Sequence, residues 1–255
     1  MGLELISIKS PREIEAMRKA GRITAQARAL AASMIRPGVT TREIDDAVCR
    51  FFKSQGAKPS FLGYGGFPGS ACISVNEEVI HGIPGPRVLK EGDIVSVDVG
   101  AFIGGFHGYC AGTYPCGQVS DEAMRLIRVT EQSFWEGMKY ARKGCRVSDI
   151  GHAVQEYVEA NGFSVVRDFV GHGVGAKLHE PPEVRNFGPA GHGPRLLPGM
   201  TLAVEPMITA GHWEVKVLSD KWTTVTTDGS LAAHYENSIL ITDGDPEILT
   251  VVDGY

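Results

Sequence analysis

Four side chains in the second half of this chain, His172, His179, Glu205 and Glu236, are of the types that hold and use a metal ion. They stand in four short motifs: Gly171 to Gly175, Leu178 to Pro181, Val204 to Met207, and Tyr235 to Asn237. Asp98 joins them from inside the apolar run Ile94 to Val99. A carboxylate within a buried strand is costly unless it is paired or binds a cation. Three carboxylates and an imidazole make a hard-to-borderline cation site. Taken singly, each has a plainer explanation: a Glu in a buried hydrogen-bond network, an Asp in a structural ion pair, a Gly-flanked His in a turn.

The elements that must position these residues are legible as two similar halves. Arg36 to Ile44 aligns with Arg142 to Ile150 at an offset of 106, and Ala47, Val48, Phe51 and Gly56 then fall on Ala153, Val154, Tyr157 and Gly162. At an offset of 107, Gly92 meets Gly199, Val97 meets Val204, and Asp98 meets Glu205. Chance similarity between amphipathic helices is the alternative; an internal duplication explains more, because the match reaches two carboxylates. Each half would supply an acid to a site on a pseudo-twofold axis. The halves span about 10–118 and 119–250 of a single domain, 1–255.

Each half reads as two helices followed by Gly-rich strands. Ser10-Pro11-Arg12-Glu13 is a capping box with Pro at the first helical position, and that helix should run to about Ile35, stopped by Pro37-Gly38. Thr40 to Glu43 opens a second helix ending near Gly56; the other half repeats this from about Asp121 to Gly144 and from Ser148 to Gly162. The fold class expected is α+β, with helices on one face of a mostly antiparallel sheet. A turn at Ile103-Gly104 would make a hairpin in which Asp98 faces Tyr109. Asp228-Gly229 is a second turn signal, expected to bring Trp222 near Glu236.

Composition bounds the function classes. With 43% apolar and 22% charged residues the chain is ordinary globular protein. Its net charge of −5 gives no electrostatic footprint for nucleic acid. No apolar stretch reaches the roughly 18 residues that a membrane span needs, and Met1–Lys9 does not read as a secretory signal. The cysteines, Cys49, Cys72, Cys110, Cys116 and Cys145, include no C-x-x-C pair and read as reduced thiols. Cytoplasm is the expected location.

These motifs, together with Ile73 to Pro84, resemble those of the type I methionine aminopeptidases of the pita-bread fold, in the expected order and over essentially the whole chain. The resemblance implies a curved sheet in two pseudo-symmetric halves and a metal-dependent aminopeptidase that removes initiator methionine from nascent chains when the next residue is small. It implies Asp98, His172, Glu205 and Glu236 as metal ligands, with Glu205 also the general base toward the water that the metal acidifies. His179 is similar to the family histidine that stabilises the tetrahedral intermediate, a role commonly worth about 3 kcal/mol. His81 is similar to the one near the scissile amide. Tyr64, Phe67, Cys72, Leu178 and Trp222, with His81 and His179, would bind substrate, an apolar and sulfur-bearing surface suited to a thioether. Phe61 would narrow that pocket. His107, His152, His192, His212 and His234 match no ligand position and read as surface or structural residues.

The resemblance breaks at one position. The family holds two divalent ions with five side chains, and its second Asp, which bridges both ions, follows a His-Gly pair. Here His107-Gly108 is followed by Tyr109. A phenol with a reference pKa of about 10 is a poor ligand, and Cys110 turns to the opposite face of a strand. One acid fewer removes attraction for the second ion more than for the first. The expectation is one tightly bound divalent metal (Mn, Fe, Co or Zn) and a second weak or absent. The expected partner is the N-terminal methionine of nascent peptides, with transient ribosome contact, no nucleic-acid specificity, no membrane, and a monomer. Two rivals stay open: a catalytically impaired homologue that binds a peptide or protein, and an aminopeptidase with another N-terminal specificity.

Overall fold

The computed structural model describes residues 5–252. Residues 1–4 and 253–255, which belong to the expected 1–255 domain and, in part, to the N-terminal segment discussed above, lie outside the described residues.

Both capping boxes form. The Ser10 side chain accepts from the Glu13 amide and Glu13 accepts from the Ser10 amide, starting α1 (Pro11–Met34). Thr40 and Glu43 do the same for α2 (Thr41–Ser54). Each box satisfies two backbone N–H groups that have no intrahelical partner. Six strands surround and follow these helices: β1 (Lys58–Pro59), β2 (Ala71–Val75), β3 (Glu78–Ile80), β4 (Ile94–Ile103), β5 (Phe106–Pro115) and, after α3 (Asp121–Met138) and α4 (Val147–Ala160), β6 (Ser164–Val165). The rest of the chain is strand and loop: β7 (Gly171–Gly173), β8 (Glu180–Val184), β9 (Thr201–Val204), β10 (Met207–Thr209), β11 (Val215–Val217), β12 (Thr224–Thr226), β13 (Ala232–His234), β14 (Glu236–Leu240) and β15 (Glu247–Ile248). The third helix ends at Met138, short of the expected Gly144, because the chain turns through successive short backbone bonds from Lys139 to Cys145.

The main sheet has the order β1-β4-β5-β14-β9-β7-β8, with β2 also on β4 and β15 also on β14. Its pairings are antiparallel. In the first half, Ile23, Ala27, Ile44, Val48 and Phe52 of α1 and α2 pack on Ile73, Val95, Val97 and Val99. In the second, Phe134 and Ile150 of α3 and α4 pack on Leu202, Val204 and Ile239. Strand alternation then decides where Asp98 goes. Val97 and Val99 point at the helices, so Asp98 points from the opposite face.

Two pairing details differ from the sequence reading. The β4–β5 turn is Gly104-Gly105, both at positive φ (63° and 88°), as two-residue hairpin turns of the mirror type require. Asp98 therefore pairs with Ala111, and Tyr109 pairs with Gly100. The Asp228-Gly229 turn does not zip its flanks together: β12 pairs with β11 and β3, while β13 pairs with β10. Trp222 reaches the cavity containing Glu236 by loop position rather than by hairpin pairing.

Candidate metal centre and substrate cavity

Three neighbouring strands set two acids in one row. Asp98 on β4 pairs with Ala111 on β5, and Ala111 pairs in turn with Glu236 at the start of β14. Directly paired residues share a face, so the two carboxylates flank a methyl group. Glu205 follows the end of β9, where Val204 pairs with Asn237, and His172 on β7 pairs with Ala203. The second half thus brings its acid and its imidazole to the same edge of the cavity.

The electrostatics of this row are those of acids held too close. Burial pushes the Asp98 carboxyl up to about 7, opposed by a hydrogen bond with Glu236. Burial, then the charges of Asp98 and Glu205, raise Glu236 well above the carboxylate range. Burial and Asp98 raise Glu205 likewise. Three carboxylates in this setting do not all ionise unless a cation joins them.

His172 is oriented by its backbone. Its Nδ1 lies 2.7 Å from the Gly173 carbonyl oxygen, so Nδ1–H donates there and Nε2 keeps its lone pair. Nε2 lies 3.6 Å from Glu205 Oε1. Burial, with His179 close by, lowers the imidazole to about 4, so the ring is neutral at neutral pH. The His179 ring centroid stands 4.2 Å from that of His172, and its Nδ1 meets the Tyr64 hydroxyl at 3.0 Å. Burial lowers His179 as well. His81, at φ 59°, stands edge-on to Phe169 and Trp222, and burial followed by His179 lowers it to about 4.

One cavity of about 310 Å³ gathers these groups. Its wall contains Asp98, His172, Glu205, Glu236, His81 and His179 together with Tyr64, Phe67, Cys72, Leu178 and Trp222, and also Phe61 and Tyr109. Ile80, Phe169 and Val170 complete the wall; no sequence signal marked them, since each looks like ordinary core. His234, read from sequence as surface or structural, is fully buried with Nε2 4.0 Å from Glu205 Oε2 and no hydrogen-bond partner. His107 is half-buried and meets the Ser60 hydroxyl at 2.9 Å.

Tyr109 is packed among rings and backbone. Its ring lies over Gly100, so close that a Cβ there would stand 2.5 Å from two ring carbons. It stacks on Phe61 (5.6 Å, 9°) and on His107 (5.7 Å, 16°). Burial raises the phenol well above its ordinary value, with the Ser60 hydroxyl pulling the other way. A neutral phenol is a weak ligand at best.

Carboxylates and a neutral imidazole are donor types that suit a divalent ion. Among the described residues, no group of three or more His, Cys, Asp or Glu side chains is set to hold an ion as they stand; Asp98 and Glu236 are hydrogen-bonded to each other. Yet Asp98 Oδ1 is buried without a partner, and His172 Nε2 is held free by its own Nδ1 bond. Both are donors with nothing else to do, next to Glu205.

A sheet of two similar lobes, helices on one face and a carboxylate–imidazole cavity on the other, is the pita-bread class of α+β hydrolase folds. A family model described as metallopeptidase family M24 matches residues 15–243. The chain is 54% identical to methionine aminopeptidase 1 of Bacillus subtilis, over 97% of this chain and all of the relative. It is 43% identical to the Escherichia coli methionine aminopeptidase, over 96% of this chain and 94% of that one. The crystal structure of methionine aminopeptidase from Thermotoga maritima superposes with a TM-score of 0.95 at 48% identity, covering 96% of this chain and 99% of that one. A Pyrococcus horikoshii prolidase shares the fold alone, at TM-score 0.76 and 23% identity. The chain belongs to metallopeptidase family M24.

Proposed function

We propose that this protein is a metal-dependent aminopeptidase that removes the N-terminal methionine of peptide chains when the next residue is small, and that it works with one tightly bound divalent ion. The observation that carries this is a single cavity in which an apolar, sulfur-bearing wall meets three buried carboxylates and a neutral imidazole with a free Nε2. His172, Glu205 and Glu236 would hold the ion, with Asp98 beside them. The chemistry such an ion supplies when bound is the acidification of water and the polarisation of a carbonyl.

The chain's own residues supply the rest. Phe67 and Trp222, edge to face at 5.1 Å, and the Cys72 thiol form a wall on which a thioether packs well. The free amine enters toward the acids, whose negative field favours it. Glu205 takes the proton from the attacking water. His179, its Nδ1 engaged by Tyr64, presents Nε2 to the carbonyl oxygen as charge develops there. His81 stands by the scissile amide. Exclusion of water by the aromatic wall strengthens each of these interactions. In this reading the chain is one catalytic domain, its halves about 10–118 and 119–250, with the site at their junction. It acts as a monomer in the cytoplasm on nascent chains, in transient contact with the ribosome. Among the described residues no helix is long and apolar enough to cross a membrane.

Methionine release from a Met-Ala-Ser peptide, with Mn²⁺ or Fe²⁺ titrated into chelator-stripped protein, tests the proposal. Turnover that saturates near one ion per chain supports it; two tightly bound ions per chain overturn the stoichiometry. No turnover with any metal, from folded protein, favours the second reading, a peptide-binding homologue without catalysis. The stacked, neutral Tyr109 phenol at the family's bridging position is the observation behind that reading. A panel of N-terminal residues separates either from an aminopeptidase of other specificity.

A further inference from the structure

Behind the strand pair that carries the metal centre lies a second cavity, of about 140 Å³. Gly112 and Tyr114 of β5 line it, from the face opposite to Ala111, with Arg28 of α1, Glu131 of α3, His234 and Tyr235. Arg28 is the unusual member. Its guanidinium is largely buried, and only Nη1 has acceptors: the Ala111 carbonyl at 3.1 Å, the Glu236 carbonyl at 3.4 Å and Asn237 Oδ1 at 3.5 Å. It also lies 5.8 Å from the Tyr235 ring. Among the described residues no carboxylate is within ion-pairing distance of it. A guanidinium has five donors and stays charged at any working pH. Nε and Nη2 are therefore left to whatever the cavity holds. The nearest acid acting on it in this cavity, Glu131, is exposed and beyond ion-pairing distance, so the guanidinium charge is only partly offset.

We propose that this rear cavity is a binding site for a small oxyanion of the carboxylate class, held by the Arg28 fork and the phenol hydroxyl of Tyr114. The size suits it: a water takes about 30 Å³ of liquid volume, so the cavity has room for a group several times larger. Glycine at position 112 keeps the wall clear and lets Tyr114 fold back, with its hydroxyl 2.7 Å from where a Cβ would be. Burial pushes the Tyr114 phenol up to about 12, so it stays protonated and able to donate. The planar fork matches a carboxylate with two parallel bonds. Glu131, exposed at the rim, opposes entry of a second negative charge and selects for a monoanion. The site does not depend on which reaction the front cavity performs.

The test is calorimetric titration of the metal-loaded protein with sodium acetate at constant ionic strength, with chloride as the balancing anion. Wild type should bind saturably. Arg28→Met should weaken binding at least tenfold, and Glu131→Gln should strengthen it severalfold. Tyr114→Phe keeps the guanidinium and should cost three- to tenfold, which keeps the test sound if Arg28→Met does not fold. Unchanged binding by Arg28→Met and Tyr114→Phe would place acetate at the front metal and overturn the proposal. Binding by Glu131→Gln but not by wild type would also overturn it, because Glu131 would then be Arg28's own counter-ion. So would the absence of saturable binding in every form.

Discussion

Replacing Tyr109 with Asp should give the protein a second metal site and make its metal-free form much less stable. The ring is 2% exposed, stacked between Phe61 and His107 and laid over Gly100. Deleting a buried aromatic side chain costs about 3–5 kcal/mol. At about 2–4 °C per kcal/mol for a chain of this size, the metal-free melting temperature should fall by about 6–20 °C. The new carboxylate would join Asp98, Glu205 and Glu236, each already raised by burial. It would ionise only with a cation beside it, so the loss should be partly reversed by metal: an ion at 100 times its Kd returns about 2.7 kcal/mol. The assay is calorimetry of chelator-treated and Mn²⁺-saturated protein, with metal analysis per chain. Stoichiometry should rise from one to two, and the gap between the two melting temperatures should widen. If wild type already holds two ions tightly, or the variant still holds one, the reasoning that ties metal count to this carboxylate is refuted.

Gly100→Ala should cost about 1–3 kcal/mol in wild type, since its Cβ would meet the Tyr109 ring at 2.5 Å and Ser60 Cβ at 3.0 Å. In the Tyr109→Asp background most of that cost should vanish, and urea titrations giving additive costs would show that the ring is not what Gly100 accommodates. His172→Ala should lose the ion, whereas His179→Ala should keep it and lose about 100- to 1,000-fold in kcat; loss of metal in both would move His179 into the ligand set. His107, lowered to about 4 by burial, should contribute to acid instability. Between about pH 6.5 and 4 the unfolded state holds a proton that the folded state does not, so stability falls as pH drops through that window. His107→Gln should flatten the curve there by roughly 1 kcal/mol, after allowance for the ring's partial exposure, and parallel denaturation curves for the two proteins would refute this.

What could be seen in the sequence was what depends on near neighbours. Both capping boxes close over three residues, and both formed. The hairpin reading had the wrong turn, because adjacent glycines at 104 and 105 allow more than one register. The difference moves the partner of Asp98 from Tyr109 to Ala111. A slip of two residues keeps every side chain on its face, whereas a slip of one would have turned Tyr109 away from the cavity. That parity is why the cavity could be anticipated from a misplaced turn. Partner choice over long distances was not visible. Asp228-Gly229 has the chemistry of a hairpin, but its flanks find β3 and β10 instead. Arg28 gave no signal either: within a helix it is one more polar residue, and its burial depends on how α1 crosses β5 and β14. The burial of His234 beside Glu205 is hidden for the same reason, since a short strand does not announce which carboxylate it will face.

The two cavities bear on each other with a definite sign. Arg28 Nη1 contacts the carbonyls of Ala111 and Glu236, the paired residues at the middle of the acid row, so its positive charge sits just behind the front site. That charge favours ionised Glu236, but it also repels a divalent cation. An anion on Arg28 cancels both effects. A doubly charged ion gains more from the cancellation than a single proton competing for Glu236 does, so rear anion and front metal should each tighten the other. The coupling is reciprocal, and a site with three buried carboxylates has much to gain from it. Mn²⁺ titrations in acetate and in chloride at equal ionic strength read it directly, as a lower apparent Kd in acetate that Arg28→Met abolishes. A higher Kd in acetate for wild type would mean that acetate chelates the ion or reaches the front cavity, and the electrostatic argument would fail.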